Sequence, residues 1–167
     1  TNRVWGRGEA GEKVVVTIGD QTHQSVTGAD GNWHVMLSPL SVGEPLTLTV
    51  KGTNTISFED VLVGEVWICS GQSNMAMSVN GSNDADLERA AADFPQIRMI
   101  NFPRVGTQEP VWTHSRSSWM VCSPETVGQF SAVGYFFGRQ LHQTIDVPIG
   151  LINNAWGGSA CEAWINR

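Results

Sequence analysis

The constellation best suited to chemistry is Ser70-Gly71-Gln72-Ser73-Asn74-Met75, which follows directly on the apolar run Val66-Trp67-Ile68-Cys69. An apolar run that ends in glycine reads as a strand leaving a sheet by a sharp turn. Such a turn would present the Ser73 hydroxyl at the strand's carboxyl end, where α/β folds place their sites. A serine hydroxyl is a weak nucleophile at its ordinary pKa, and it acts where a base takes its proton and amide donors receive charge on an acyl oxygen. A helix starting after the turn supplies such donors, because its first amides have no partner within the helix. The pattern fits equally a plain turn in which serine caps a helix. The usual nucleophile elbow needs glycine two residues after the serine; Met75 stands there, so a different serine hydrolase architecture is implied. Gln72 and Asn74 flank the serine with amide groups able to hold an acyl group or the loop itself.

The segments around this turn fall into two kinds. Residues 1–60 read as a β-rich domain, with short strands at 14–18, 33–37 and 46–50 separated by turn signals, which suggests a small sandwich. Asp30-Gly31 predicts a hairpin, since that dipeptide supplies the positive φ of a tight turn. Residues 61–167 change pattern: near-continuous apolar runs at 61–63 and 66–69 read as strands of a parallel sheet buried on both faces. A helix at 84–92, a strand at 97–102, a helix at 131–143 and a strand at 147–152 follow, so the class is α/β. In the second helix Ser131 is placed as N-cap and Phe130 and Tyr135 as a hydrophobic staple. Val133, Phe136, Phe137 and Leu141 line its expected apolar face.

Composition narrows the partners. The net charge of −6 is spread along the chain with no Lys/Arg cluster, which argues against nucleic acid. No apolar run approaches the roughly 18 residues of a membrane-spanning helix. Seven Trp stand against a single Tyr, and Trp serves both as core anchor and as a flat platform for sugars. Cys69, Cys122 and Cys161 are too widely spaced for a zinc or CxxC centre, allow one disulfide at most, and leave Cys69 as a buried thiol. Of the four histidines, His23 and His34 fall on strands expected to face solvent, and His142 lies off the helix's apolar face. His114, beside Trp112 and Trp119 in a polar loop, is a poor candidate base. Glu162 and Trp164 follow the Trp156-Gly157-Gly158-Ser159 turn and could border a pocket, with Glu162 reading rather as a favourable charge at a helix start.

Three strings resemble, in order and spacing, the sialate O-acetylesterase family, a branch of the SGNH hydrolases. They are Gly64-Glu65-Val66-Trp67-Ile68-Cys69-Ser70-Gly71-Gln72-Ser73-Asn74-Met75, then Phe130-Ser131-Ala132-Val133-Gly134-Tyr135-Phe136-Phe137-Gly138-Arg139, then Pro148-Ile149-Gly150-Leu151-Ile152-Asn153-Asn154-Ala155-Trp156-Gly157-Gly158-Ser159. The resemblance implies an incomplete SGNH-type (flavodoxin-like) parallel sheet preceded by a small β-sandwich segment. It implies Ser73 as nucleophile, and the backbone of Ser73 with that of Gly157 or Gly158 as oxyanion donors. The substrate would be an acetylated carbohydrate, on a sialic acid or a plant polysaccharide, with no metal or organic cofactor and no membrane insertion.

The family pattern also has a third-block asparagine and, near the end of the domain, an Asp-x-x-His pair. Neither block is read anywhere in this chain, so the base is expected beyond Arg167 or on a partner chain. The chain starts at Thr1 without Met and stops as a helix-like run begins, and reads as a fragment. Secreted, periplasmic or lysosomal placement is implied by the resemblance alone. An inactive carbohydrate-binding fragment, or one subunit of a split esterase, is the competing expectation.

Overall fold

A computed structural model describes residues 2–107 and 117–165. The chain forms two compact units, Thr1–Val63 and Gly64–Arg167. The division falls after Val63, two residues beyond Val61, which ends the last strand of the first unit.

The first unit contains β1 (Arg3–Arg7), β2 (Lys13–Ile18), β3 (Gln21–Val26), β4 (Asn32–Met36), β5 (Leu46–Lys51) and β6 (Thr55–Val61). β1 and β4 make an antiparallel ribbon, and the other four an antiparallel sheet in the order β3-β2-β5-β6. Alternation does the work here: Val14, Val16 and Ile18 point inward from β2, and Trp33, Val35 and Leu37 inward from the β4 run. The two sets share one core, which is the sandwich arrangement.

The hairpin expected at Asp30-Gly31 does not form. β3 pairs with β2 through the two-residue loop Gly19-Asp20, and β4 pairs with β1. The Asp30 carboxylate accepts the Asn32 amide (3.0 Å) and side chain (2.8 Å), closing the loop on itself and sending the chain to the other sheet.

The second unit contains β7 (Glu65–Gly71), α1 (Ser73–Ala76), α2 (Ala85–Ala90), β8 (Phe94–Asn101), β9 (Met120–Cys122), α3 (Ala132–Ile145) and β10 (Ile149–Ala155). Its sheet runs β7-β10-β8-β9, with the first three strands parallel and β9 antiparallel on β8. The α/β class is therefore observed. Flavodoxin order sets the first strand between the second and third; here the third parallel strand, β10, lies between the other two.

Two expectations about burial are corrected. Among the described residues β7 is an edge strand rather than one buried on both faces: Val66 is 62% and Ile68 67% exposed, while Cys69 is buried beneath α3. The sheet-facing stripe of α3 is also rotated from the expected one. Ala132, Gly134, Tyr135 and Gly138 are buried, while Val133 and Phe137 are exposed and Phe136 and Leu141 only partly covered. A hydrophobicity pattern passes over glycine, yet added β-carbons at Gly134 and Gly138 would meet Cys69 Sγ at 2.9 Å and Leu151 Cδ1 at 2.6 Å. The two glycines let the helix backbone close on the sheet. Phe137 instead meets Trp67 edge-on, ring centroids 5.0 Å apart.

Ser131 caps α3, its Oγ accepting the Gly134 amide at 3.1 Å. Phe130 and Tyr135, the staple pair, are both buried in the same core. Arg139 pairs with Glu88 at 2.5 Å and lies over the rings of Tyr135 and Phe136, joining α3 to α2. No helix among the described residues is long and apolar enough to cross a membrane.

Candidate active site

The site is set by strand register. β7 and β10 are adjacent and parallel, with Gly71 opposite Ala155. The Trp156 amide extends the pairing by donating to the Gly71 carbonyl at 2.9 Å. Both chains then leave the sheet side by side at its carboxyl end. Gly71, at φ +142°, takes a backbone conformation that an L side chain would resist. Ser73 follows as the first residue of α1 and is exposed. The N-cap position belongs to Gln72, so Ser73 is not the capping serine of the plain-turn reading.

The neighbouring turn, Trp156-Gly157-Gly158-Ser159, closes with the Ser159 amide donating to the Trp156 carbonyl at 3.2 Å. Gly158 has φ +79° at the third position, as a type II turn requires. The two glycines thus do different work. Gly158 turns the chain, and a β-carbon there would meet nothing within 4 Å. Gly157 faces the serine: a β-carbon on it would lie 3.7 Å from Ser73 Oγ and 3.8 Å from Ser73 Cα.

Backbone donors without acceptors flank the serine in sequence and across the turn. Helical bonding in α1 begins with Ala76 to the Gln72 carbonyl and Met77 to the Ser73 carbonyl. Among the described residues the amides of Ser73, Asn74, Gly157 and Gly158 donate to nothing. Free amides at a helix start attract negative charge, so the arrangement can take an anionic oxygen beside the Ser73 hydroxyl.

The flanking residues separate. The Gln72 side-chain amide donates to the Ser159 carbonyl, tying the serine loop to the glycine turn, which is the loop role. Asn74 is exposed. Glu162 is exposed in the first turn of the 3-10 helix Cys161–Trp164, the helix-start position expected for it.

Sequence reasoning missed two supports. The Ser131 hydroxyl, besides capping α3, donates to the Met75 carbonyl at 2.6 Å and so pins α1 from behind. Asn153, buried near the end of β10, donates to Asn101 Oδ1 at 2.7 Å, and its own Oδ1 accepts the Ala155 amide at 3.2 Å. The available signal was Asn153-Asn154 breaking an otherwise apolar strand.

No base is supplied by the described histidines of this unit. His142 lies at the opposite end of the strands: a carbonyl only accepts, so Nδ1 donates to Val147 at 2.8 Å just before β10 begins. It is half-buried, with Phe94 edge-on, rather than solvated. His23 and His34 belong to the first unit; His34 is exposed, but His23 is half-buried and bonded to Gln21 Oε1 at 3.1 Å. Asp20-Gln21-Thr22-His23 does have Asp-x-x-His spacing, but it spans the β2–β3 hairpin and not the end of a catalytic domain. His114 and Trp112 lie outside the described residues.

All three cysteines are free. Burial pushes the Cys69 thiol up and that of Cys122 to about 11. Cys161 is exposed.

A family model described as carbohydrate esterase, sialic acid-specific acetylesterase, matches residues 63–167, starting one residue before the second unit. The sialate O-acetylesterase of Rattus norvegicus is 35% identical over 98% of this chain, and that of Homo sapiens 33% identical over 96%, the match covering 34% of each relative. A carbohydrate acetylesterase from Xanthomonas citri, known from its crystal structure, superposes with a TM-score of 0.94 at 34% identity, covering 98% of this chain and 38% of that one. The chain spans about a third of the length of the curated relatives it matches. With the serine loop and the glycine turn both inside the matched range, the chain belongs to the sialic acid-specific acetylesterase family of carbohydrate esterases.

Proposed function

We propose that this chain carries the nucleophile and the oxyanion donors of an SGNH-type carbohydrate O-acetylesterase, a reading supported above all by the Gly71–Ala155 register that sets Ser73 beside Gly157. Ser73 Oγ attacks the acetyl carbonyl carbon and gives its proton to a base. The amides of Ser73 and Gly157 hold the oxyanion, with that of Gly158 next to them. Collapse breaks the ester bond, and the departing sugar oxygen takes the proton back from the base. Water then attacks acetyl-Ser73 and releases acetate. Gln72 holds the two loops together, while Asn74 and Glu162 border the acyl and sugar positions.

The base in this reading is a histidine oriented by an aspartate, both outside the described residues, in the same gene product or on a partner chain. Family resemblance supports an acetylated sugar as substrate and an exported or lysosomal setting. The open Ser73 hydroxyl, with no histidine of this unit beside it among the described residues, favours one second reading. In it, the chain binds acetylated carbohydrate without turning it over, or is one subunit of a split esterase.

Ser73→Ala in the full-length gene product tests the assignment through hydrolysis of 4-nitrophenyl acetate. The expected loss is about 10⁴- to 10⁶-fold, with the circular dichroism spectrum unchanged. Retained turnover would remove Ser73 from its role. Residues 1–167 alone are expected to be nearly inactive, and full activity from them would place the base within this chain.

A further inference from the structure

Trp164 ends the 3-10 helix Cys161–Trp164, five residues beyond Ser159. Its indole N–H donates to Ser159 Oγ at 2.9 Å, and that hydroxyl donates to the Trp156 carbonyl at 2.8 Å. The Ser159 carbonyl in turn accepts the side-chain amide of Gln72, next to Ser73. The ring's one polar atom is thus tied into a short chain of bonds that ends one residue from the serine. Among the described residues Trp164 is 39% exposed, although burying an indole is among the larger apolar gains a fold can make.

A ring with its N–H already satisfied offers only its π face to a ligand. That face suits a pyranose, whose C–H groups gather on one side of the ring while the hydroxyls point outward from its edge. Holding the indole before the ligand arrives removes part of the ordering cost of binding.

We infer that Trp164 is the stacking platform for the pyranose ring that carries the scissile acetyl group, held at its angle by the Ser159–Gln72 chain of bonds. This rests on the esterase reading above and adds a sugar subsite to it. The platform recognises the C–H face of a pyranose, which acetylated xylose and an O-acetylated sialic acid both present.

The test is an equilibrium titration of the full-length gene product carrying Ser73→Ala, which leaves the esters intact, with each of these two sugars, followed by the indole N–H resonances in NMR spectra; the Trp164 substitutions for this titration are made in the same background. The Trp164 signal is expected to shift with both. Trp164→Ala should raise the dissociation constants by about fivefold or more, the scale of an aromatic contact, while Trp164→Phe restores most of the affinity. A shift with one sugar only assigns the platform to that sugar's class. A second readout separates stacking from a structural role: the ratio of kcat/KM for the sugar ester to that for 4-nitrophenyl acetate should fall about fivefold in Trp164→Ala. An unmoved ratio, or unchanged dissociation constants, overturns the platform. Failure of the esterase reading shows elsewhere, as undiminished turnover in Ser73→Ala, since the titration needs no hydrolysis.

Discussion

The loops of the β-rich unit and the two loops that leave β7 and β10 treat their backbone amides in opposite ways. In the first unit one carboxylate, Glu12, accepts the Thr53 amide at 2.6 Å, the Thr53 hydroxyl at 3.0 Å and the Glu9 amide at 3.1 Å. Asp30 does the same for Asn32. In the second unit the amides of Ser73, Asn74, Gly157 and Gly158 have no acceptor among the described residues. At these two loops of the first unit a carboxylate satisfies the backbone donors locally. In the proposed reading, the open donors beside the Ser73 hydroxyl are completed by the substrate's acyl oxygen.

The sharpest way to break this contrast is Gly157→Ala. The added methyl would meet Ser73 at ordinary contact distance, 3.7 Å from Oγ, so the fold should survive. It occupies the space an acyl oxygen needs, and esterase activity should fall about 100-fold, as for a misplaced reacting group. Undiminished kcat/KM would show that the open amides of this turn do not serve the serine.

Next in size is Ser131→Ala, which removes the α3 cap and leaves the Met75 carbonyl behind the serine without its donor. Urea unfolding should show a loss of about 2 kcal/mol, combining a lost cap with a buried unpaired acceptor. An unchanged midpoint would mean that the hydroxyl's two bonds carry no net stability.

The closed loops can be probed by acid. The bonds from Thr53 and Glu9 hold the Glu12 carboxyl below the usual carboxylate range. A carboxyl depressed in the folded state stabilises above its unfolded pKa, and that contribution fades as pH falls through the folded value. Glu12→Gln should therefore lower stability near neutral pH and flatten its decline below about pH 4.5. Identical pH profiles for the two proteins would deny the carboxylate this role.

The smallest effect is a count of reactive thiols. At pH 8 the native protein should react with a thiol reagent at Cys161 alone, because burial keeps Cys69 and Cys122 protonated. Rapid modification of all three without denaturant would contradict their burial.

What could be read from residues was what a local rule governs. The serine after a glycine-ended strand, the Ser131 cap and the alternation in β2 and β4 each follow from a few neighbouring positions. β3 escaped because Gln21-Thr22-His23-Gln24-Ser25-Val26 has almost no apolar signal; it is a strand through pairing with β2. The sheet-facing stripe of α3 escaped because two glycines carry it. The edge position of β7 is a property of pairing and leaves no local mark, since Val66 and Ile68 are as apolar as a buried strand would need. Likewise the bonds from Gln72 and Ser131 span 87 and 56 residues, distances at which no sequence window applies.

That edge position has a kinetic consequence. The strand that delivers Ser73 forms the rim of its sheet, so the outward-pointing amides of β7 should trade hydrogen for deuterium sooner than those of β10, which is flanked on both sides. Among the described residues the hydroxyl is carried by one of the two outer strands of the sheet, and any polypeptide laid along that rim would slow the exchange and still the serine together.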